Sequence, residues 1–486
     1  MRKTKIICTI GPASSSKEVI SKMIDAGMDV ARFNFSHSTH EEQKVLMDLV
    51  KETAREKGKA VGILLDTKGP EVRVGVFENG RLELNAGEQF AFTKDVDTKA
   101  PCEKSINISY PQLIDIWRET ALEVEARYAS GNPHIILSDD GNLEFEVEKI
   151  GEDHILCRTV RSGVISNRKS LNFPDYNIDM MYLSLKDEAD IKFGLEQGIQ
   201  YIAASFVRCA EDVKDIRKFV AKQGYRGVEI IAKIENQQGV DNLDEIIEVS
   251  DGVMVARGDM GVEIPYVKLP AIQKTIIHKC AEKGRFVITA TQMLDSMISH
   301  PRPTRAEISD VANAVYDNTT CVMLSGESAA GMYPVESVAA LSGICAEAEK
   351  NELYKDQFEY KERSTQHPNV SVICHAAQSI IRDINARAII AVSNGGFTIR
   401  ELSRFRPDIP IVAIVTRESV QKSLAAYYGV CALMGEEKKS AADIIKQAKK
   451  KAIEAGLVDK GDSVIILFDN DIASRNGTNT LSIETV

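Results

Sequence analysis

The chain has 486 residues, of which 44% are hydrophobic and 27% are charged, and its formal net charge is −11. This length exceeds what one hydrophobic core serves, so we expect two to four globular domains. The acidic balance without a long basic run argues against nucleic-acid and membrane-surface binding. The first strand pattern, KIICTI (5–10), is too short for a signal peptide or a membrane helix, so we expect a cytoplasmic protein.

Nine cysteines are scattered along the chain, an odd number with no pair in CxxC spacing. This pattern predicts neither a disulfide framework nor a zinc site, and it favours a reducing compartment. Cys8 and Cys321 are interpreted as apolar strand residues.

Eight short aliphatic runs, each ending in polar residues and followed by a turn and a helical pattern, organise the first two thirds of the chain. They are KIICTI (5–10), DVARFNF (29–35), VGILLDT (61–67), YIAASF (201–206), EIIAKIE (229–235), GVMVARGD (252–259), FVITATQ (286–292) and CVMLSGE (321–327). Near-continuous apolar strands alternating with helices predict an α/β fold, and eight of them predict a (β/α)8 TIM barrel. Capping patterns predict helix starts at Ser15, with Glu18, and at Ser184.

Two further domains interrupt and follow this pattern. Asp66 and Tyr201 are 135 positions apart, and the segment between them contains short alternating runs such as RLELNAGEQFAFT, which predict a β-rich domain inserted after the third strand. A second strand–helix alternation follows, with strands at 388–393, 409–416, 430–434 and 463–469. We expect a catalytic barrel at 1–69 and 182–350, an inserted β lid domain at 70–181, and a C-terminal α/β regulatory domain at 351–486.

The stretch IIAKIENQQGV (230–240) places Lys233 and Glu235 at alternate positions near the end of a strand. Side chains two apart on a strand share a face, so both groups point to one place. A salt bridge at the sheet margin is the simpler alternative. In a barrel, however, the carboxyl ends of all eight strands meet at one rim, where barrel enzymes place their chemistry. The polar residues at these ends are Thr9, Arg32, Asn34, Asp66, Thr67, Ser205, Lys233, Glu235, Asp259, Thr291, Ser325 and Glu327.

The rim suits phosphoryl transfer assisted by a divalent metal. Glu235 and Asp259 are hard oxygen ligands without a neighbouring His or Cys, which favours Mg²⁺ or Mn²⁺ over zinc. Lys233 and Arg32 add positive charge suited to a phosphoryl group. The segment ARGDMG (256–261) is interpreted as a helix start with anion-binding amides, although an ordinary turn has the same pattern.

At these positions the sequence resembles the pyruvate kinase family, and the resemblance extends over most of the chain. The matching segments are ARFNFSH (31–37), LLDTKGPEVR (64–73), DIKFGLEQG (190–198), ASFVR (204–208), IIAKIENQQGV (230–240), VMVARGDMGVEIP (253–265), ATQMLDSM (290–297), PTRAEISDVANAV (303–315) and LSGESAAGMYPVE (324–336). The resemblance implies the same three-domain architecture, a homotetramer, and transfer of the phosphoryl group of phosphoenolpyruvate to ADP, giving pyruvate and ATP in glycolysis.

The resemblance also implies roles for the rim residues. Glu235 and Asp259 would bind the divalent ion between the carboxylate and the phosphate of phosphoenolpyruvate. Lys233 would stabilise the phosphoryl group in transit and Arg32 would hold it. Amides around Gly258 and Asp259 would bind the substrate carboxylate.

Further family positions concern the proton, the monovalent cation and the nucleotide. Thr291 would help to place the proton donor, whose identity stays open. Glu71 is typical of potassium-dependent members, so we expect activation by K⁺. The implied potassium ligands are Asn34, Ser36, Asp66 and Thr67, the nucleotide-side residues are Arg73, Lys169, Asn34 and His37, and the implied lid residue is Asp140.

The inserted domain departs most from the family. Ser170 replaces a family Gly, and the stretch 100–134 is atypical and contains Trp117, the only tryptophan. These departures leave the lid geometry and the nucleotide preference open.

The C-terminal segment SNGGFTIRELSRFRP (393–407) resembles the effector-phosphate loop of the family. Ser393, Gly396 and Thr398 keep that character, whereas Phe397 stands where a basic residue is common. We expect a sugar-phosphate or nucleotide effector, with a plain strand–loop–helix as the alternative.

Two other functions remain open from the residues themselves. One is a different metal-dependent barrel enzyme acting on pyruvate or phosphoenolpyruvate, such as an aldolase. Lys233 and Arg73 argue against it, because an aldolase transfers no phosphoryl group. The other is a regulatory relative that binds ligands without turnover, which the intact set of rim residues argues against.

Overall fold

The structure is a computed structural model that describes residues 2–36, 39–139, 141–174, 176, 178, 180–351, 367–470 and 477–486. Two residues given roles by the family resemblance, His37 and Asp140, lie outside the described residues. Part of the late loop FDNDIASRNGTN (468–479) also lies outside them.

The elements are numbered in chain order. The strands are β1 Lys5–Thr9, β2 Val30–Asn34, β3 Gly62–Asp66, β4 Val72–Arg73, β5 Arg81–Leu84, β6 Gln89–Thr93, β7 Ser105–Asn107, β8 Ile135–Ser138, β9 Leu143–Ile150, β10 His154–Thr159, β11 Gly163–Ser166, β12 Ser170–Asn172, β13 Tyr201–Ala204, β14 Glu229–Ile234, β15 Gly252–Ala256, β16 Phe286–Ala290, β17 Cys321–Leu324, β18 Ala388–Val392, β19 Ile411–Val415, β20 Val430–Met434, β21 Ser463–Phe468 and β22 Thr480–Thr485. The helices are α1 Lys17–Ala26, α2 His40–Glu56, α3 Gln112–Arg118, α4 Ala121–Ala129, α5 Leu185–Glu196, α6 Ala210–Lys222, α7 Gln237–Asp241, α8 Leu243–Val249, α9 Arg257–Glu263, α10 Leu269–Glu282, α11 Arg305–Tyr316, α12 Gly326–Ala329, α13 Pro334–Ala348, α14 Pro368–Ile380, α15 Phe397–Arg404, α16 Glu418–Ser423 and α17 Ala441–Glu454.

Eight parallel strands close into a barrel in the order β1-β17-β16-β15-β14-β13-β3-β2, which confirms the predicted fold class. Every residue of β1, β3, β14, β15 and β16 is buried. Both faces of these strands are covered because side chains fill the barrel interior and helices pack outside it. The closed ring brings the polar residues at the carboxyl ends of its strands to one rim.

The helix that follows the first strand begins one residue later than predicted. Ser16, and not Ser15, caps α1, since its side chain accepts a hydrogen bond from the Val19 amide. The Ser15 hydroxyl instead donates to the Pro12 carbonyl, because a short 3₁₀ turn over Pro12–Ser14 occupies this position. The start of α5 agrees with the prediction, with Ser184 and Asp187 forming a reciprocal capping box.

Between β3 and β13 lies a seven-stranded sheet of order β4-β12-β8-β9-β10-β6-β7, with a separate β5–β11 pair. The insertion was predicted to be mainly β, but the atypical stretch also forms α3 and α4. Trp117 of α3 is fully buried, and its ring meets those of Phe173 and Tyr176 edge-on at 5.6 and 4.8 Å between centroids. The atypical sequence therefore contributes to the core of this domain. Its limits, like those of the other two domains, stay a prediction.

The C-terminal sheet has the order β20-β19-β18-β21-β22. Its four predicted strands are parallel, and β22, which was not predicted, pairs antiparallel with β21. This domain packs against the amino end of the barrel. There, Glu229 at the start of β14 accepts hydrogen bonds from Arg400 at 2.7 and 2.9 Å and from the Tyr427 hydroxyl at 2.9 Å.

No helix within the described ranges combines the length and apolar character needed to cross a membrane.

Candidate active site

Lys233 lies at the centre of the polar rim. Its ammonium nitrogen is 2.7 Å from Ser205 Oγ, 3.1 Å from Asp66 Oδ1 and 2.9 Å from Glu235 Oε1. Burial opposes the charge of this group, but Asp66 and Glu235 outweigh it and hold the pKa of Lys233 above its usual value. The predicted pair of Lys233 and Glu235 therefore does form an ion pair, but within a larger cluster at the barrel mouth.

Asp66 joins this cluster to the second strand. Its Oδ2 accepts a hydrogen bond from Arg32 Nε at 2.7 Å, and Arg32 Nη1 also donates to Thr9 Oγ1 at 2.8 Å. Burial raises the pKa of Asp66, but the charges of Arg32 and Lys233 outweigh burial and lower it. Asp66 is therefore a fixed anion that orients two cations toward the cleft.

The two oxygens of Glu235 have different partners. Its Oε2 accepts a hydrogen bond from the Phe206 amide at 2.6 Å, whereas Oε1 lies 2.9 Å from the Lys233 ammonium and accepts no hydrogen bond from any other group in the described part of the chain. The residue is fully buried. Burial raises the pKa of Glu235 to about 8 against the effect of Lys233, and the negative charge of Asp259 adds to the rise. A buried carboxylate oxygen of this kind suits a bound cation.

Asp259 lies in the first turn of α9 on the neighbouring strand-to-helix connection. Its charge raises the pKa of both Lys233 and Glu235, so it faces the same cluster. No group of three or more His, Cys, Asp or Glu side chains suitable for a metal occurs within the described ranges. Two carboxylates with room for water and substrate oxygens are the usual protein share of a Mg²⁺ site, so these residues fit that ion.

Thr291 follows β16 in an unusual backbone conformation. Its φ is +66° and that of Gln292 is +53°, a region that non-glycine residues seldom occupy. The Thr291 hydroxyl accepts a hydrogen bond from the Gly258 amide at 2.7 Å, and its carbonyl accepts one from Arg257 Nη2 at 2.6 Å. These contacts place Thr291 beside the start of α9 and hold the strained turn in place.

A cleft of about 530 Å³ lies between the barrel rim and the inserted domain. It brings together most of the residues to which the sequence assigned roles. Those that line it are Arg32, Asn34, Ser36, Asp66, Thr67, Arg73, Lys169, Lys233 and Asp259. Gly258, Thr291 and Glu235 are not part of this lining. Lys68, Asn167, Arg168 and Ser205 also line the cleft.

The predicted potassium ligands all line this cleft. Asn34 Oδ1 accepts a hydrogen bond from the Ser36 amide at 2.9 Å, and the Thr67 carbonyl accepts one from Ser205 Oγ at 2.7 Å. Each of these oxygens keeps a further lone pair, so each can also bind a cation.

On the lid side, the basic residues are paired with acids. Arg73 Nε donates to Glu71 at 2.6 Å, and Lys169 forms an ion pair with Asp139. Ser170, the residue that departs from the family, donates its hydroxyl to the same Glu71. Asp139 was not singled out from the sequence, although it stands next to the predicted Asp140.

In the C-terminal domain, Gly396 begins α15 with a φ of +79°, and its amide donates to Ser393 Oγ at 3.1 Å. The Thr398 hydroxyl is buried and bonds to that of Thr478 at 2.6 Å. Arg417, which was not predicted, donates to the Asn394 carbonyl at 2.7 Å. The loop therefore has a basic neighbour from another connection, although Phe397 replaces the usual basic residue within it.

Comparison with known proteins identifies relatives over the whole chain. Two family descriptions match, "Pyruvate kinase, barrel domain" at residues 1–338 and "Pyruvate kinase, alpha/beta domain" at residues 371–484. The chain is 42% identical to a pyruvate kinase of Clostridium acetobutylicum, covering 100% of both chains. It is 41% identical to a pyruvate kinase of Sporosarcina psychrophila, covering 100% of this chain and 81% of the relative. A crystal structure of a pyruvate kinase from Cryptosporidium parvum superposes with a TM-score of 0.88 at 36% identity, covering 100% of this chain and 96% of that one.

Proposed function

The chain belongs to the pyruvate kinase family, whose reaction converts phosphoenolpyruvate, ADP and a proton to pyruvate and ATP, and we propose that the cluster around Lys233 is where this chain carries it out. The observation that supports this most directly is the position of the Lys233 ammonium, held by Ser205 and Asp66 beside Glu235. A buried cation fixed before substrate arrives stabilises transferring oxygens without reorganisation.

We propose that Glu235 and Asp259 hold Mg²⁺, or Mn²⁺, together with the substrate. The buried Oε1 of Glu235, whose one partner among the described residues is the Lys233 ammonium, and the charge that Asp259 adds beside it support this assignment. Bound there, the ion would neutralise charge on the phosphate and carboxylate oxygens of phosphoenolpyruvate. Amides at the start of α9, around Gly258, would bind the substrate carboxylate.

The phosphoryl group would lie between Arg32 and Lys233. Arg32 is oriented by Asp66 and Thr9 and would hold the phosphoryl oxygens, while Lys233 would stabilise them during transfer to ADP. The P–O bond to the enol oxygen breaks as the bond to the terminal phosphate of ADP forms. The enolate left behind takes a proton, and Thr291 would position the donor and not act as the acid itself, because its hydroxyl proton is donated to the Ala290 carbonyl at 2.6 Å.

The nucleotide would occupy the lid side of the same cleft, and K⁺ the side formed by the barrel. We propose that oxygens of Asn34, Ser36, Asp66 and Thr67 bind K⁺, with the carboxylate of Glu71 requiring that added positive charge. Arg73, Lys169 and Asn34 would contact the phosphates of ADP when the inserted domain closes. Closure would exclude water from a phosphoryl group that could otherwise be hydrolysed. The corresponding expectations for His37 and Asp140 rest on the family resemblance.

One assay tests this function and both alternatives. Pyruvate release is followed with and without ADP while Mg²⁺ is varied, for the wild type, Glu235→Gln and Asp259→Asn. Each substitution should lower kcat/KM by at least about 100-fold, because each removes a charge from the catalytic cluster. Glu211→Gln, which changes an exposed carboxylate on α6, is the matched control. Pyruvate release that is independent of ADP, or ligand binding without turnover, would contradict the proposal.

We further propose that the C-terminal loop at 393–398 binds the phosphate of a sugar-phosphate or nucleotide effector in a cytoplasmic homotetramer. The Ser393–Gly396 turn at the start of α15 supports the phosphate site, and nine free thiols suit a reducing compartment. The homotetramer and the proposed domain limits of 1–69 with 182–350, 70–181 and 351–486 follow the family. Thermal-shift screening of sugar phosphates and AMP should separate the wild type from Thr398→Ala, and equal responses would remove the effector assignment.

A further inference from the structure

A small cavity lies at the opposite end of the barrel from the catalytic cleft, where the barrel meets the C-terminal domain. Its volume is about 30 Å³, roughly twice what one water molecule needs. Four guanidinium groups line it, those of Arg285, Arg400, Arg404 and Arg406. Arg285 precedes β16 of the barrel, and the others belong to α15 and the residues directly after it. The cavity therefore gathers four cations from two domains.

Two of these cations are neutralised by carboxylates. Arg400 pairs with Glu229 at 2.7 Å, and Arg404 Nη1 contacts both oxygens of Glu401 at 2.8 and 3.0 Å. A third carboxylate, that of Glu349, acts on Arg406 by its charge alone and opposes the effect of burial on the pKa of that residue.

The hydrogen bonds and ring contacts of the other two, in the described part of the chain, are with neutral groups. Arg406 stacks on the Tyr428 ring at 3.7 Å and donates to the Thr319 carbonyl at 3.1 Å. Arg285 Nη2 donates to the Glu248 carbonyl at 2.9 Å, while its buried Nε finds no hydrogen-bond acceptor among the described residues. An N–H group buried without an acceptor is rare in folded proteins, so its presence indicates a missing ligand.

The charges in the cavity act on one another. Burial and the nearby charge of Arg285 lower the pKa of Arg404 to about 10. Burial also lowers the pKa of Arg406, against the opposing effects of Tyr428 and Glu349. The shift of Arg404 is that of a partly dehydrated cation beside another cation, a repulsion that a bound anion would relieve.

The local backbone is adapted to this arrangement. Gly284 has a φ of +65°, and a Cβ built on it would lie 1.9 Å from Arg404 Nε. A side chain at position 284 would therefore displace the guanidinium from the cavity wall. Gly284 therefore has two roles: it adopts the left-handed turn after α10, and its missing side chain leaves room for Arg404.

We propose that this cavity binds a tetrahedral oxyanion of the size of inorganic phosphate, which bridges Arg285 of the barrel and Arg406 of the C-terminal domain. Guanidinium groups present their donors in a fixed fork that matches phosphate oxygens. The cavity is partly open to solvent, so a phosphate can place two of its oxygens inside and leave the others at the mouth, whereas the enclosed part is too small for a nucleotide. The site is separate from the proposed effector loop and from the catalytic cleft, and its test compares variants at Arg285 that leave both unchanged.

The experiment is a calorimetric titration of inorganic phosphate into full-length protein at constant ionic strength. Saturating phosphoenolpyruvate and Mg²⁺ without ADP keep phosphate out of the catalytic cleft, and a Thr398→Ala background removes the loop site. In that background we expect one bound phosphate per chain. Adding Arg285→Met should weaken the binding by about tenfold or more, the usual loss when one charged hydrogen-bond partner is removed.

Arg285 is partly exposed, so Arg285→Met should fold, which circular dichroism checks. If it does not fold, Arg285→Lys, which keeps the charge and removes the buried Nε, is titrated in its place and should also bind more weakly. Methyl phosphate is used in a parallel titration to determine whether a monoester is accepted. Phosphate affinity that is unchanged by either Arg285 substitution, or no phosphate binding in the Thr398→Ala background, would overturn the proposal.

Discussion

Replacing Lys233 by Met removes the cation on which the proposed chemistry depends and leaves the strand backbone intact. The Lys233 nitrogen is 2.9 Å from a Glu235 oxygen and 3.1 Å from an Asp66 oxygen. At an effective dielectric constant of 20, each contact corresponds to a Coulomb attraction of about 5–6 kcal/mol, before the cost of dehydrating the charges. In the variant, two buried carboxylates lose their shared cation.

Activity and stability should both respond. Loss of a preorganised charge at the transferring group lowers kcat by about 1,000-fold or more, equivalent to about 4 kcal/mol. Breaking a buried ion pair on one side costs about 3–5 kcal/mol of unfolding free energy. The carboxylates left behind can take up protons, so the loss of stability should be smaller at acidic pH than at pH 8.

Coupled pyruvate release gives kcat, and urea denaturation at pH 5.5 and 8 gives the unfolding free energies. Lys233→Arg is the matched control, because it keeps the charge but alters its contact with Ser205. The Met variant should lose more activity and more stability than the Arg variant. A Met variant with kcat within tenfold of the wild type would refute the assignment of Lys233 as the phosphoryl-stabilising cation.

Three further predictions concern the lid junction, the monovalent cation and the domain interface. Burial raises the pKa of Glu263 to about 7, although Asn172 donates a hydrogen bond to it at 2.8 Å. The folded protein therefore holds this proton more tightly than the unfolded chain. The resulting stabilisation is complete below the ordinary pKa of 4.5 and is lost as the pH rises through 7. Glu263→Gln should therefore lose less unfolding free energy than the wild type between pH 5 and 8, by up to about 3 kcal/mol, and parallel pH profiles would contradict this. Wild-type activity should fall when Na⁺ or tetramethylammonium replaces K⁺. The Glu71→Lys variant should be insensitive to this exchange, because its ammonium group takes the place of the cation. A Glu71→Lys variant that still needs K⁺ would argue against the proposed potassium site. Arg400→Met should lower the unfolding free energy by about 3–5 kcal/mol in urea denaturation, because Glu229 stays buried without its guanidinium, and Arg400→Lys should lose less; equal stability of all three proteins would show that the pair contributes nothing.

The barrel could be predicted from sequence because its strands are short, apolar and separated by helices of regular length. The same reasoning failed where tertiary context decides the structure. Helices α3 and α4 formed inside a domain predicted to be mainly β, since the apolar residues that include Trp117 had a sheet to pack against. Strand β22 is an edge strand, whose pairing with β21 depends on a neighbour rather than on its own composition.

The candidate site shows the same division. Lys233, Glu235 and Asp66 could be placed together from strand periodicity and barrel geometry, because the carboxyl ends of parallel strands meet at one rim. The roles of Arg257 and Arg417 could not be predicted. Arg257 contacts Thr291 and Arg417 contacts Asn394, and each contact links two different strand-to-helix connections. The left-handed backbone at Thr291 could not be predicted either, because threonine rarely adopts that conformation.

Strand β14 has a different partner at each end. Glu229, its first residue, is bound to Arg400 of the C-terminal domain, and Lys233 lies four positions further along, among the proposed catalytic groups. At about 3.3 Å per residue, only about 13 Å of straight backbone separates the two positions. This short strand segment contains no loop that could absorb a displacement. A shift of the C-terminal domain by a few tenths of an ångström along the strand would therefore move Lys233 by nearly the same distance. Changes of that size in donor–acceptor distance alter the strength of a hydrogen bond.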